Sequence, residues 1–154
     1  MSFASPAIPV IAPPGSGRIV RAFGEEVEFV LTGAQTGERM TQWVETTPPG
    51  VGPPLHYHKD EDENFHVLEG SVEFFHGGQW TPAAPGTTVF IPKGEVHAFR
   101  NSGTTPLKML VTTMPSGFET FFTRCAEEFA KQGGPDHQRL VDIAGEHGVH
   151  FVTP

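Results

Sequence analysis

The chain has 154 residues, 37% of them hydrophobic and only 18% charged, enough for one domain with a sizeable core. Its 18 Gly and 15 Pro argue against a helix bundle and for many short strands joined by turns. With 18 acidic against 10 basic side chains the net charge is -8. That is the wrong balance for a nucleic-acid partner.

Residues 1–18, rich in Pro, Ala, Ser and Gly, read as an extended N-terminal arm. Met1 to Pro14 carries no basic residue before its apolar stretch, and Arg18 is the first positive charge. A secretory n-region is therefore missing, and no apolar run approaches the ~18 residues of a membrane span. A soluble, cytoplasmic protein with no membrane partner is expected.

A barrel is expected over residues 19–115. From Ile19 the pattern is strand-like: Val27, Phe29 and Leu31 alternate with Glu26, Glu28 and Val30, and Gly33 and Gly37 bracket a turn before a strand at 39–46. Pro48-Pro49-Gly50 and Pro53-Pro54 break the chain. Further strands are predicted at 55–58, 63–69, 71–76, 87–92, 97–101 and 107–113. Gly70, Gly77-Gly78, Pro85-Gly86, Lys93-Gly94 and Ser102-Gly103 supply the turns between them. Short strands at this spacing imply an all-β sandwich or barrel.

After Pro115 the period changes, giving a C-terminal helical tail over 116–154 packed on the barrel. Phe118, Phe121, Phe122, Cys125 and Phe129 fall on one face of a helix. Core packing is the preferred reading of that stripe, and Cys125 reads as a small buried apolar residue rather than a nucleophile. Gly133-Gly134-Pro135 ends the helix. Asp136 is the expected N-cap of a second one with Leu140, Ile143 and Ala144 inward, and 149–152 form a last short strand.

Of the 8 histidines, three group with a carboxylate. Residues two apart on a strand share a face, so His56 and His58 point inward together. Glu63 opens the next strand and can swing back to meet them. His97 closes the group from a later strand. Three imidazoles and one carboxylate suit a borderline-to-hard divalent ion and leave positions for solvent or substrate. The same parity turns Phe65 and Phe99 into the barrel beside the group, making the pocket partly apolar. It turns His66 and Tyr57 outward. Asp60, Glu61 and Asp62 read as a solvated turn, while His76, His137, His147 and His150 read as surface.

The spacing Gly50-x5-His56-x-His58-x4-Glu63-x6-Gly70, followed by Gly86-x5-Pro92-x-Gly94-x2-His97-x3-Asn101, resembles the two cupin motifs at every defining position. Fixed residue types at ordinary usages would coincide in this way with probability below roughly 10⁻¹⁰. Within cupins the chain is similar to the single-domain, quercetinase-like group. The likeness lies in His66-Val67-Leu68-Glu69-Gly70, in Gly117-Phe118-Glu119-x-Phe121-Phe122, and in the ending Ile143-Ala144 … Gly148-Val149-His150-Phe151. His66 departs from it, since many members carry Tyr there.

The resemblance implies a double-stranded β-helix (a cupin, or jelly-roll, barrel) with two short C-terminal helices. One divalent metal ion (Fe, Mn, Ni, Co, Cu or Zn) would be held by His56, His58, Glu63 and His97. It also implies a homodimer, and a small-molecule substrate or ligand. The leading functional expectation is a dioxygenase-like enzyme acting on a small enolisable or aromatic substrate, with Glu63 as the base. The alternatives are a non-catalytic binding or sensor cupin and a metal-dependent isomerase or lyase. A fold of this kind hosts all three.

Overall fold

A computed structural model describes residues 7–153. Residues 1–6, part of the expected arm, lie outside it, and residues 7–18 hold neither strand nor helix. The strands that follow are β1 (Ile19–Ala22), β2 (Glu25–Leu31), β3 (Thr41–Thr47), β4 (His56–His58), β5 (Asp62–Glu69), β6 (Val72–His76), β7 (Gln79–Ala83), β8 (Thr88–Ile91), β9 (Ala98–Asn101), β10 (Leu107–Met114) and β11 (Val149–Phe151). The helices are α1 (Gly33–Thr36), α2 (Phe118–Phe129) and α3 (His137–Glu146).

Two layers make the barrel. One is a six-stranded sheet in the order β1-β2-β3-β10-β5-β8, antiparallel throughout. The other joins β11-β4 to β7-β6-β9 through backbone bonds between His56 and His97, N–H to O at 3.1 and 2.9 Å. That bridge matters for the site, because it clamps two of its histidines backbone to backbone.

Strict alternation of burial along β2, β3 and β5 follows from the pleat. It gathers Val27, Trp43, Phe65, Val67, Met109 and Val111 between the layers, each at most 1% exposed. Full burial of one such side chain contributes about 1.5–3 kcal/mol. At Gly70 the chain turns at φ 91°, and a Cβ would meet the Pro106 carbonyl oxygen at 2.8 Å. Glycine is required there on both counts.

Two elements differ from expectation. The Gly33–Gly37 turn is a single helical turn, α1, in which the Thr32 N–H donates to Gln35 Oε1 at 2.9 Å and Gly37 closes in the left-handed conformation. The span between Gly77-Gly78 and Pro85, where no strand is predicted, contains β7. It is an edge strand, exposed along most of its length, and Pro82 within it obscures its pattern.

Helix α2 lies across the barrel mouth. Phe118 stacks on Trp43 at 5.1 Å between ring centroids, Phe122 meets the same indole edge-on at 5.5 Å, and Phe129 meets Phe23 at 5.0 Å. The phenylalanine stripe is core packing, as its period predicts, and Cys125 beneath it is fully buried with its thiol pushed up to about 12 by burial. Glu119 fastens the helix start. Its carboxylate accepts from the Gly33 N–H at 2.9 Å and from the Thr41 hydroxyl. Asp136 caps α3 by accepting from Gln138 N–H at 2.9 Å.

Candidate metal centre

His56 and His58 flank Tyr57 on β4 with buried, half-buried, buried alternation. Tyr57 faces outward and packs against the tilted ring of His150 of β11, 5.1 Å between centroids. Glu63 comes from the start of β5 and His97 from the approach to β9. The structure brings these four together: one ligand atom from each lies within 4.8 Å of the other three, and all four side chains are buried. Donors at roughly 2.0–2.2 Å from a common ion sit at most about 4.4 Å apart. The four are therefore grouped closely enough to converge on one ion.

The outer ring nitrogens are pinned. His56 Nδ1 donates to the Pro54 carbonyl at 2.8 Å, and His97 Nδ1 to the Glu95 carbonyl at 2.9 Å. A carbonyl only accepts, so both Nδ1 atoms carry protons and both rings turn Nε2 inward. His97 Nε2 then lies 3.0 Å from Glu63 Oε1, and His58 Nε2 lies 3.6 Å from the same oxygen without any hydrogen-bond partner. Three inward ring nitrogens and one carboxylate in a buried space are a donor set for a cation. The residues fit a divalent metal ion.

Electrostatics agree. Burial, followed by the charges of His97 and His58, holds His56 down at about 4, so its imidazole is neutral at pH 7. Burial opposes the charged form of Glu63, but the surrounding histidines outweigh it and lower its pKa. For His58, burial disfavours protonation while Glu63 and then Glu61 outweigh it, and the net direction is upward. Neutral imidazole beside ionised carboxylate is the ligating combination.

Glu61 was expected in a solvated turn and is not. It is 8% exposed, and its Oε2 accepts from His58 Nδ1 at 3.2 Å. Asp62 accepts from the Lys93 N–H at 3.0 Å, tying the β4–β5 turn to the Lys93-Gly94 turn. His66 faces away from the centre and bonds Thr88 Oγ1 at 2.9 Å. His147, expected at the surface, is half-buried: it accepts from Arg124 at 3.0 Å and touches the Phe121 ring. His150 is likewise half-buried against Tyr57.

A partly open cavity with about 60 Å³ of free interior abuts the centre. His56 and Glu63 form part of its wall, with Phe99, Phe118 and Trp43. Phe65 is not among the lining residues. It packs behind them, 5.8 Å from Phe99, 5.1 Å from Phe74 and 6.4 Å from His97 by ring centroids. Sequence reasoning also passed over Glu25 and Glu45, which line the cavity. Their parity with Val27 and Trp43 was the available signal.

Fold and centre together define a double-stranded β-helix protein with a buried group of three histidines and one glutamate. The cupin domain family matches residues 43–113. A quercetin 2,3-dioxygenase of Bacillus subtilis is 27% identical over 80% of this chain, and an uncharacterized protein of Aquifex aeolicus is 36% identical over 42% of it. The chain spans 36% and 51% of the length of those two relatives. Among solved structures, a predicted oxalate decarboxylase of Thermotoga maritima superposes with TM-score 0.63 at 24% identity, covering 69% of this chain and 99% of that one. The polyketide cyclase RemF of Streptomyces resistomycificus does so with TM-score 0.62 at 22% identity, covering 71% and 81%. Residues 43–113 of this chain thus form a cupin domain.

Proposed function

We propose that this cupin is a metal-dependent oxygenase of the quercetinase type, with His56, His58, Glu63 and His97 holding one divalent ion per chain. Its substrate is a small enolisable or aromatic compound. The observation that carries the reading is the cavity. Two of the four donors open directly into a space whose other walls are mainly aromatic, which suits a flat apolar molecule with an oxygen at one end. The 27% identity to a quercetin 2,3-dioxygenase across most of this chain supports the class.

The ion would supply Lewis acidity at a substrate oxygen. The chain's own residues do the rest. Phe99, Phe118 and Trp43 stack against the substrate ring and exclude water. Glu63, buried and with its pKa lowered by the histidines around it, is the nearest base for a substrate proton. The sole tyrosine, Tyr57, faces away from the cavity, so a tyrosine base plays no part. The homodimer belongs to the same reading, with Leu68 and Phe90 exposed on the outer face of the large sheet.

Oxygen uptake tests it. The protein is reconstituted separately with Fe, Mn, Ni, Co, Cu and Zn and offered quercetin and simple 1,3-diketones. Uptake with at least one redox-active metal is expected. Binding without any turnover would instead favour a sensor, and product formed without oxygen would favour an isomerase or lyase.

A further inference from the structure

Glu25 on β2 and Glu45 on β3 are 5% and 3% exposed, and both line the cavity that His56 and Glu63 open into. The β2–β3 register places Val27 opposite Glu45, so Glu25 lies diagonally beside Glu45 on the same inner face. The two carboxyl groups are therefore neighbours in one buried wall. Thr47 Oγ1 donates to Glu25 Oε1 at 3.0 Å, and Trp43 Nε1 to Glu45 Oε2 at 3.3 Å. No lysine, arginine or histidine among the described residues forms an ion pair with either.

Two neighbouring carboxylates in a buried wall, neither paired with a basic side chain, resist ionising together. Burial raises both, and Glu45, with Glu25 beside it, rises well above the ordinary carboxylate range. One proton therefore stays on the pair, which then offers a donor and acceptors together. Among the described residues, His56 and Glu63 are the other ionisable side chains that line the cavity. Burying such a pair costs free energy that a leucine pair would not.

We propose that Glu25 and Glu45, sharing one proton, are the specificity-determining polar end of the cavity, where they bind a hydroxyl group of the substrate additional to its metal-binding oxygens. The substrate class narrows accordingly, from any flat enolisable compound to a polyhydroxylated one. This rests on the oxygenase reading only in taking the cavity as the substrate pocket. It needs no turnover.

The test uses zinc-loaded protein, so that binding is read without oxidation, and two probes. These are 3-hydroxyflavone, which carries one hydroxyl beside a carbonyl, and quercetin, the same frame with further hydroxyls. Wild type is expected to prefer quercetin by about tenfold or more, as a hydrogen bond to a charged pair allows. The Glu25→Leu/Glu45→Leu variant should bind 3-hydroxyflavone as before and lose the preference at unchanged zinc content. A retained preference overturns the proposal. Should that variant not fold, infrared spectra of wild type decide. A protonated carboxyl band is expected at pH 7, weakened in Glu45→Gln, and shifted by quercetin but not by 3-hydroxyflavone. No such band, or a band indifferent to quercetin, overturns the proposal equally. Absence of oxygen uptake with every metal would sink the oxygenase reading while leaving these binding outcomes to stand or fall separately.

Discussion

Glu61 Oε2 lies 3.2 Å from His58 Nδ1, while the other nitrogen of that ring is buried without a partner and faces Glu63 at 3.6 Å. A carboxylate outside the centre thus sets the orientation of an imidazole inside it. His56 and His97 are held by backbone carbonyls instead. Of the three Nδ1 atoms, that of His58 meets a side chain, so a substitution at Glu61 removes its partner.

Glu61→Ala should therefore weaken metal binding by roughly 10- to 100-fold, the usual effect of removing the partner of a ligating histidine. Glu61→Gln, which still accepts from Nδ1, should lose less. Competition against a chelator of known affinity measures both. Wild-type affinity in the alanine variant would show that Glu61 does not position His58.

His66 and His97 separate the two faces of the barrel wall. His97→Ala removes a buried donor and should sharply reduce metal content. His66→Ala removes only an outer-face bond to Thr88 and should leave it unchanged. Elemental analysis of the two variants, purified alike, gives the answer; equal losses would contradict the register of β5.

Glu63→Gln keeps the shape and one coordinating oxygen but removes charge and basicity. Three histidines should still retain the ion, more weakly. Turnover should fall by at least the ~10² expected for loss of a general base. Activity must be compared at equal metal occupancy. A fully metallated variant with wild-type turnover would reduce Glu63 to a ligand.

The pair Glu25–Glu45 should leave a mark on stability as a function of pH. Both folded-state pKa values are raised, so between the unfolded value near 4.5 and the raised folded value the native state holds more protons than the unfolded one. Stability then falls as pH rises through that window, by at most about 1.4 kcal/mol per pH unit for one proton. Glu45→Gln removes the more strongly raised of the two groups and leaves Glu25 to titrate alone. Relative to metal-free wild type, the variant should gain stability from pH 5 to pH 8 in urea unfolding. Parallel curves would mean that the pair carries no shared proton.

The helix seat offers a packing test. Phe118 touches both Trp43 and His58, at 5.1 and 5.2 Å between centroids. Phe118→Ala should destabilise the chain by about 3–5 kcal/mol, measured by urea unfolding. A loss under 1 kcal/mol would show that α2 is loosely seated.

Most strands were legible because a half-buried strand writes its two faces into alternate residues, as in Val27 and Phe29 or Trp43 and Glu45. β7 was not, because an exposed edge strand with Pro82 inside it carries no such alternation. The grouping of His56, His58, Glu63 and His97 could be read because three of them sit on or beside two successive strands and the fourth follows a marked turn. Parity and spacing sufficed there.

What tertiary structure alone decided is which polar residues share a space with that group. Glu61 looks like its neighbours Asp60 and Asp62 in the sequence, yet the β4–β5 turn folds it under His58. Phe65 and Phe99 share one parity rule, but only Phe99 reaches the cavity, since Phe65 lies behind it. Glu25 and Glu45 stand 20 positions apart in the chain and meet through the β2–β3 register beneath the mouth that α2 covers. Parity says which side of a sheet a residue faces. Distance along the barrel, and what the opposite wall brings to the same point, are properties of closure, and they exist only once the layers are packed.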